Sequence, residues 1–347
     1  MVDKRPAFSF DLSHDDFDSF FSMNFDELLK EDMEFTYPIQ GELTAQNERY
    51  TEGEVIGTFG ANIIFKVYDS HSGRHVAKVM LSDDVNHDNI EHFLREARLT
   101  ASLQHPNILP VYDIGIKEYG APFYIMEWLD CDHLSTIILK VASGDAAYIE
   151  KYPRSKMLDI FIKLCYAVEY AHSRDIVHQN LNPSAIFIGD FGEVFIGDWS
   201  RAKCFVDDYA EIDEMLEQEL AYEGVILPLH GDPGYRAPEL IVDSKQGSEG
   251  SDQYSLGALL YAMLNNCPPV EGHTSSEIEQ NAASGELKKF INTQPQVILQ
   301  PIQDIVYKSL SHNPNERFET VRKLRKVVTE YIHCKDVMNF LESLWWE

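Results

Sequence analysis

The sequence predicts an α+β fold, a small β-rich unit followed by a larger helical one. Three observations carry this. Between residues 50 and 128 apolar and polar positions mostly follow the period of strands, interrupted by one helical stretch. From Ser155 onward the apolar spacing is helical. The 347 residues, 44% hydrophobic and 25% charged, suffice for two lobes around a sizeable core.

The elements follow in chain order. Residues 1–49 form an acidic, Phe-rich extension, with seven Phe before residue 36 interleaved with Asp and Glu. Such alternation resembles disordered interaction segments. Phe25, Leu28, Leu29 and Met33 share one helical face, so this segment is either a mobile docking element or an extension packed on its own domain. RYTEGEVIGTFGANIIFKVYDS and RHVAKVML read as strands, with a turn at His71, Ser72 and Gly73. DNIEHFLREARLTASL reads as a helix whose apolar face carries Ile90, Phe93, Leu94, Ala97 and Leu99. GAPFYIMEWL returns to strand. SKMLDIFIKLCYAVEYAHS, DQYSLGALLYAML, QPIQDIVYKSL and RKLRKVVTEYI are then helical. In the tail 333–347, Val337, Phe340, Leu341, Leu344 and Trp345 recur at helical spacing and are expected to dock on the core.

The charge balance narrows the partners. With 57 acidic and 29 basic residues the formal charge is −28, which repels nucleic acid and an anionic membrane surface. The same field opposes ATP at long range, although a local basic pocket could still bind it. The five cysteines, Cys131, Cys165, Cys204, Cys267 and Cys334, have no metal-ligand spacing and suggest no disulfide framework. No apolar run approaches the ~20 residues that span a bilayer, and the first residues lack the apolar core of a secretory leader. A soluble, cytoplasmic protein is expected.

LREA, HPNIL, IMEW, GDPGYRAPEL, SDQYSLGALLY and NPNERF occur in order. Their sequence and spacing resemble the Hanks-type serine/threonine protein kinases, especially bacterial ones, over residues 50–332. The resemblance implies a two-lobed protein-kinase-like fold. The β-rich N-lobe would cover about 50–128 and the helical C-lobe about 129–332.

The differences from the family concentrate at its chemistry. The family's catalytic loop, HRDLKPxN, corresponds here to His178-Gln179-Asn180-Leu181-Asn182-Pro183-Ser184-Ala185. His178 is kept as a packing position. Asn180 stands where the family has the Asp that accepts the substrate proton, and an amide has no useful basicity. Asn182 stands for the Lys that neutralises the transferring phosphoryl group. Ala185 stands for the Asn that ligates a second magnesium, and a methyl group coordinates nothing. Gln179 stands for the Arg that pairs with an activation-loop phosphate. The letters Asp-Phe-Gly occur once, at Asp190–Gly192, between two strand-like runs, and read as a hairpin tip. The family's magnesium Asp follows the catalytic-loop Asp by about eighteen residues. Asn180 to Asp198 is eighteen and Asn180 to Asp190 is ten, so Asp198-Trp199-Ser200 is the matching triplet. Asp198 would be a single, weak magnesium ligand.

The nucleotide pocket is altered as well. The Gly-rich loop GxGxxGxV corresponds to Gly57-Thr58-Phe59-Gly60-Ala61-Asn62-Ile63-Ile64, with Gly57 kept, Phe59 and Asn62 replacing glycines, and Gly60 adding some freedom. The family's Ala-x-Lys is ambiguous here, because Ala77 and Lys78 are adjacent and face opposite ways on a strand. A one-residue shorter hairpin, the preferred reading, turns Lys78 inward to pair with Glu96. Without it Val79 takes the position. Met126, Glu127, Trp128 and Leu129 occupy the hinge, so the candidate ATP pocket comprises Gly57, Gly60, Lys78, Glu96, Glu127 and Leu129.

The folding positions of the large lobe are kept. Asp252 matches the helix Asp that anchors the catalytic loop, and Glu239 matches the carboxylate that pairs with a late Arg, here Arg317. Between Trp199 and Gly231, DDYAEIDEMLEQELAYEG is acidic and helical in pattern, either a cover or docking surface for the cleft or a solvated loop. The resemblance thus implies a degenerate, pseudokinase-like member acting as a scaffold or allosteric partner. Its partner would be an active kinase, a substrate or another signalling protein. It requires no cofactor, with ATP, with or without magnesium, as an optional ligand. The alternative is a weak ATP-dependent serine/threonine kinase or other transferase.

Overall fold

A computed structural model of the chain describes residues 49–51, 53–59, 62–82, 87–116, 122–205, 232–243, 247–291 and 298–343. The Phe-rich segment, Gly60 and the acidic stretch 207–224 lie outside the described residues. The chain divides into two compact units. The described residues of the first are 49–51 and 69–73. There the Arg49 guanidinium grips both oxygens of Asp69 at 2.9 and 3.1 Å. Asp69 also accepts from the Ser72 hydroxyl and the His71 N–H. Burial raises its pKa, but these bonds outweigh it and hold the carboxyl at about 2.

The second unit holds both lobes of the fold. Its N-lobe is a five-stranded sheet of β1 (Glu54–Phe59), β2 (Asn62–Asp69), β3 (Arg74–Leu81), β4 (Val111–Ile116) and β5 (Pro122–Glu127), in the order β1-β2-β3-β5-β4. The sequence pattern shows β5 but not β4, whose alternation is weakened by Asp113 and Gly115. Helix α1 (His87–Ser102) lays Phe93 and Ala97 onto Val79 and Tyr124 of the sheet. These side chains are buried at the helical spacing read from the sequence.

The C-lobe is helical, with short strands at its upper edge. β6 (Cys131–His133), β8 (Ile186–Gly189) and β9 (Val194–Ile196) form one antiparallel sheet, and β7 (Ile176–Val177) pairs with β10 (Lys203–Cys204). Between β6 and β7 lie α2 (Leu134–Ala142), α3 (Ala146–Lys151) and α4 (Arg154–His172). After β10 come α5 (Pro238–Val242), α6 (Glu249–Asn265), α7 (Ser275–Ser284), α8 (Gln300–Ser309) and α9 (Val321–Ser343).

Helix α6 is the centre of the lobe. Every residue from Ser251 to Leu264 is buried, and α6 packs against both α4 and α8. Gly257 permits this approach, because a Cβ there would lie 2.6 Å from the Ser309 Cβ. The Ser251 hydroxyl accepts the Ser248 N–H at the helix start. Asn266 ends the helix at φ 57°, a left-handed conformation that Asn tolerates. Helix α9 continues without a break across residue 332, so the backbone does not set the tail apart at that point. The docking expected of Val337, Phe340, Leu341, Leu344 and Trp345 lies outside the described side chains.

Candidate functional site

The loop between β7 and β8 carries Asn180, Asn182 and Ala185, and its shape is set from α6 below. Asp252, fully buried, accepts the N–H groups of His178 and Gln179, both at 2.8 Å, and bonds the His172 Nε2 at 2.9 Å. Two successive N–H groups aimed at one carboxylate hold Gln179 at φ 62°, a strained value for a residue with a Cβ. The Gln179 side chain lies against Gly247, where a Cβ would come within 2.3 Å of it. His178 is buried and takes the Asn180 N–H on Nδ1 at 3.2 Å. Its Nε2 therefore carries the proton and donates to the Gly197 carbonyl at 3.0 Å. Burial lowers its pKa, which favours this neutral form. Its ring packs on the buried Trp199 ring at 4.4 Å.

Asp198 sits at φ 55°, and each of its oxygens already has a donor from the chain. The Asn180 amide donates to one at 2.6 Å, and the Ser200 hydroxyl donates to the other at 2.6 Å. A carboxylate at position 180 would repel Asp198 and call for a shared cation. An amide turns the same approach into a hydrogen bond. Asn182 points into its own loop. Its amide donates to the Asn180 carbonyl at 2.8 Å, and its oxygen takes the Ser184 N–H at 2.9 Å. It is a local cap on the short 3-10 turn Pro183–Ala185, in which Ala185 is buried.

The literal Asp190-Phe191-Gly192 is the turn between β8 and β9. Phe191 is 96% exposed, Gly192 has φ 89°, and Asp190 pairs with Lys151 at 2.6 Å.

The orientation expected of Lys78 is corrected. Strand β3 pairs with β5 residue for residue from Val76–Glu127 to Met80–Phe123, with no irregularity. Alternation then sends Ala77 and Val79 to the cleft and Lys78 to the other face. The Lys78 ammonium lies 4.1 Å from the centre of the Phe123 ring. Val79 takes the inward position and is buried against Phe93, Ala97 and Tyr124. Burying such a side chain is worth about 1.5–3 kcal/mol, whereas an ammonium there would be desolvated.

The cleft has a volume of about 400 Å³ and is lined by Gly57, Glu96, Glu127, Leu129 and Asp198 among the expected residues. Sequence reasoning missed Tyr124, His133 and Phe187, which also line it, and held Val79 as the alternative to Lys78. It also missed the bond from Ser200, although a hydroxyl two residues past an Asp is a recognisable local motif. No Lys or Arg among the described residues lines the cleft. The neighbouring Arg95 donates to the Ala202 carbonyl at 2.7 Å. Lys66 lies on the Trp128 ring at 3.6 Å. Glu96 has no inward lysine beside it. Burial, then the Asp198 charge, push its carboxyl up to about 8, with Arg95 pulling the other way.

The resemblance implies a nucleotide and magnesium, and the residues present do not fit that pair as the family holds it. Each oxygen of Asp198 already takes a donor from the chain, Ala185 offers no ligand atom, and Val79 rather than a lysine faces the cleft. Among the described residues no group of three or more His, Cys, Asp or Glu side chains is arranged to hold a metal. No helix among them is long and apolar enough to cross a membrane.

A β-sheet lobe over a helical lobe, with a looped cleft anchored from a buried helix, defines a protein kinase fold. The protein kinase domain model matches residues 50–332, and the chain belongs to that family. It is similar to the serine/threonine-protein kinase PknD of Chlamydia trachomatis, 30% identical over 303 residues, covering 82% of this chain and 32% of that protein. It is also similar to the PknD proteins of Chlamydia pneumoniae (29% over 306 residues, 82% and 31% covered) and Protochlamydia amoebophila (29% over 327 residues, 88% and 33% covered). The chain thus spans about a third of the length of the curated relatives it matches.

Proposed function

We propose that this kinase-fold signalling protein is a pseudokinase, a cytoplasmic scaffold or allosteric partner for another signalling protein. That partner would be an active kinase or a substrate it presents. The observation that carries this reading is the capping of both Asp198 oxygens by Asn180 and Ser200. With Asn182 turned into its loop, Ala185 without a ligand atom and Val79 in the lysine position, four supports of one transition state are absent together. A general base alone contributes about 10²–10⁴ in rate, and charge neutralisation of the phosphoryl group adds to that. The strong C-lobe anchors at Asp252 and Arg317 support a role in which the architecture itself is used.

The relatives' designation as serine/threonine-protein kinases favours a second reading, a weak ATP-dependent kinase using Asp198. Incubation of the purified chain with radiolabelled ATP and magnesium tests both. The expected result is no label on the chain or on a general protein substrate. Label transfer that disappears in Asp198→Ala overturns the scaffold reading in favour of the enzyme.

A further inference from the structure

We propose that the cleft between the lobes is a site for an uncharged or cationic heteroaromatic ligand of nucleoside size, and that it rejects nucleoside polyphosphates. This deepens the reading of the chain as a kinase fold that does not transfer phosphate.

The walls supply the first half of the argument. Ile64, Ala77, Val79, Leu109, Met126 and Phe187 give the cleft an apolar interior of about 400 Å³. That size and lining suit a flat, nucleoside-sized ring system rather than bulk water.

The charges supply the second half. Glu96, Glu127, Asp130 and Asp198 all line the cleft; among the described lining residues there is no Lys or Arg, and the one imidazole, His133, bonds the Ser184 carbonyl. Three cations near it are committed elsewhere: Lys66 lies on Trp128, Lys78 lies on Phe123 on the opposite face of β3, and Arg95 bonds the Ala202 carbonyl, while Arg201 lies outside the lining but near enough to feel the Asp198 charge. A polyphosphate would enter an apolar slot rimmed by like charge, within a chain of net charge −28. An ammonium in the phosphate's place would meet carboxylates instead. Magnesium gives the anion little help, because Ala185 offers no ligand atom and the Asn180 and Ser200 donors already draw on both oxygens of Asp198.

The test is equilibrium binding to the full chain, read by tryptophan fluorescence because Trp128 lines the cleft, and by calorimetry. The probes are 5′-amino-5′-deoxyadenosine, adenosine, AMP and ATP, the last with and without magnesium. Affinity is expected to fall in that order, with ATP at least tenfold weaker than adenosine in either magnesium condition. Asp130→Asn, an exposed change that leaves the core alone, is expected to weaken the amine several-fold more than it changes adenosine. Val79→Lys is expected to tighten ATP at least tenfold, by placing an ammonium beside Glu96 and Asp198. If this variant does not fold, Asp130→Asn and the probe series still decide. ATP binding as tightly as adenosine, or none of the probes binding at millimolar concentration, overturns the inference. ATP binding as tightly as adenosine, without label transfer in the radiolabel assay, overturns this inference and leaves the scaffold reading standing. Label transfer overturns the scaffold reading as well.

Discussion

Glu96 shows how one residue changes character when its partner leaves. On α1 it faces the cleft, with Asp198 close enough to raise its pKa and no lysine among the described lining residues. An ordinary carboxyl near 4.5 is pushed up to about 8 in the folded chain, mainly by burial. The folded state therefore keeps a proton that the unfolded state releases. The stability this contributes is fully present below about 4.5 and is lost as pH rises through about 8. Glu96→Gln, a neutral isostere, should remove that slope. Urea unfolding at pH 5.5 and 8.5 is expected to show the parent chain losing about 3 kcal/mol more than the variant across the window. Equal losses would mean that Glu96 is already ionised in the native state.

At the scale of elements, two aromatic-containing triplets reverse their literal reading. Phe191, within the letters Asp-Phe-Gly, is a solvent-exposed hairpin tip, while Trp199 in Asp-Trp-Ser is fully buried against His178. Phe191→Ser should therefore change stability by no more than about 0.5 kcal/mol. Trp199→Ala should cost about 3–5 kcal/mol, because it empties a large buried volume next to the loop. Thermal or denaturant melts of the pair check this, and a costly Phe191→Ser would make the hairpin a packed element. The Asn180–Asp198 spacing selects the triplet whose Asp lines the cleft, since both ends lie on one continuous loop–hairpin–loop segment of set length. Strand β3 is the opposite case. Alternation alone says that Ala77 and Lys78 face opposite ways. Which of them faces the cleft depends on how the strand is registered against β5, a pairing nearly fifty residues away in the chain.

Across the whole molecule, the large lobe is tied together by Arg317 and Glu239, far apart in sequence and bonded at 2.7 and 2.8 Å in a two-pronged pair. Arg317 also donates to the carbonyls of Ser311 and Gly250, and its guanidinium lies 5.0 Å from the Tyr254 ring centre. Removing one side leaves the other charge largely buried and unpaired. Arg317→Ala and Glu239→Ala should each cost about 3–5 kcal/mol. The double variant should cost less than their sum, which a double-mutant cycle by urea unfolding measures. Additive losses would show that the pair is not coupled. The anchor at Asp252 belongs to the same scale: a buried carboxylate on α6 shapes a loop some seventy residues earlier.

Residue type and spacing were enough for the α+β order, the helical face of α1, the amide at position 180 and the placing of Asp190 on a hairpin tip. Each of these rests on residue type or on spacing along one segment, so local chemistry suffices. The tertiary structure decided that Lys78 turns away and Val79 turns in. It decided that Asn180 and Ser200 close on Asp198, and that the cleft gathers carboxylates with no Lys or Arg among its described lining residues. Those outcomes depend on register between distant strands and on the meeting of two loops. No period or motif within a single stretch encodes such distances.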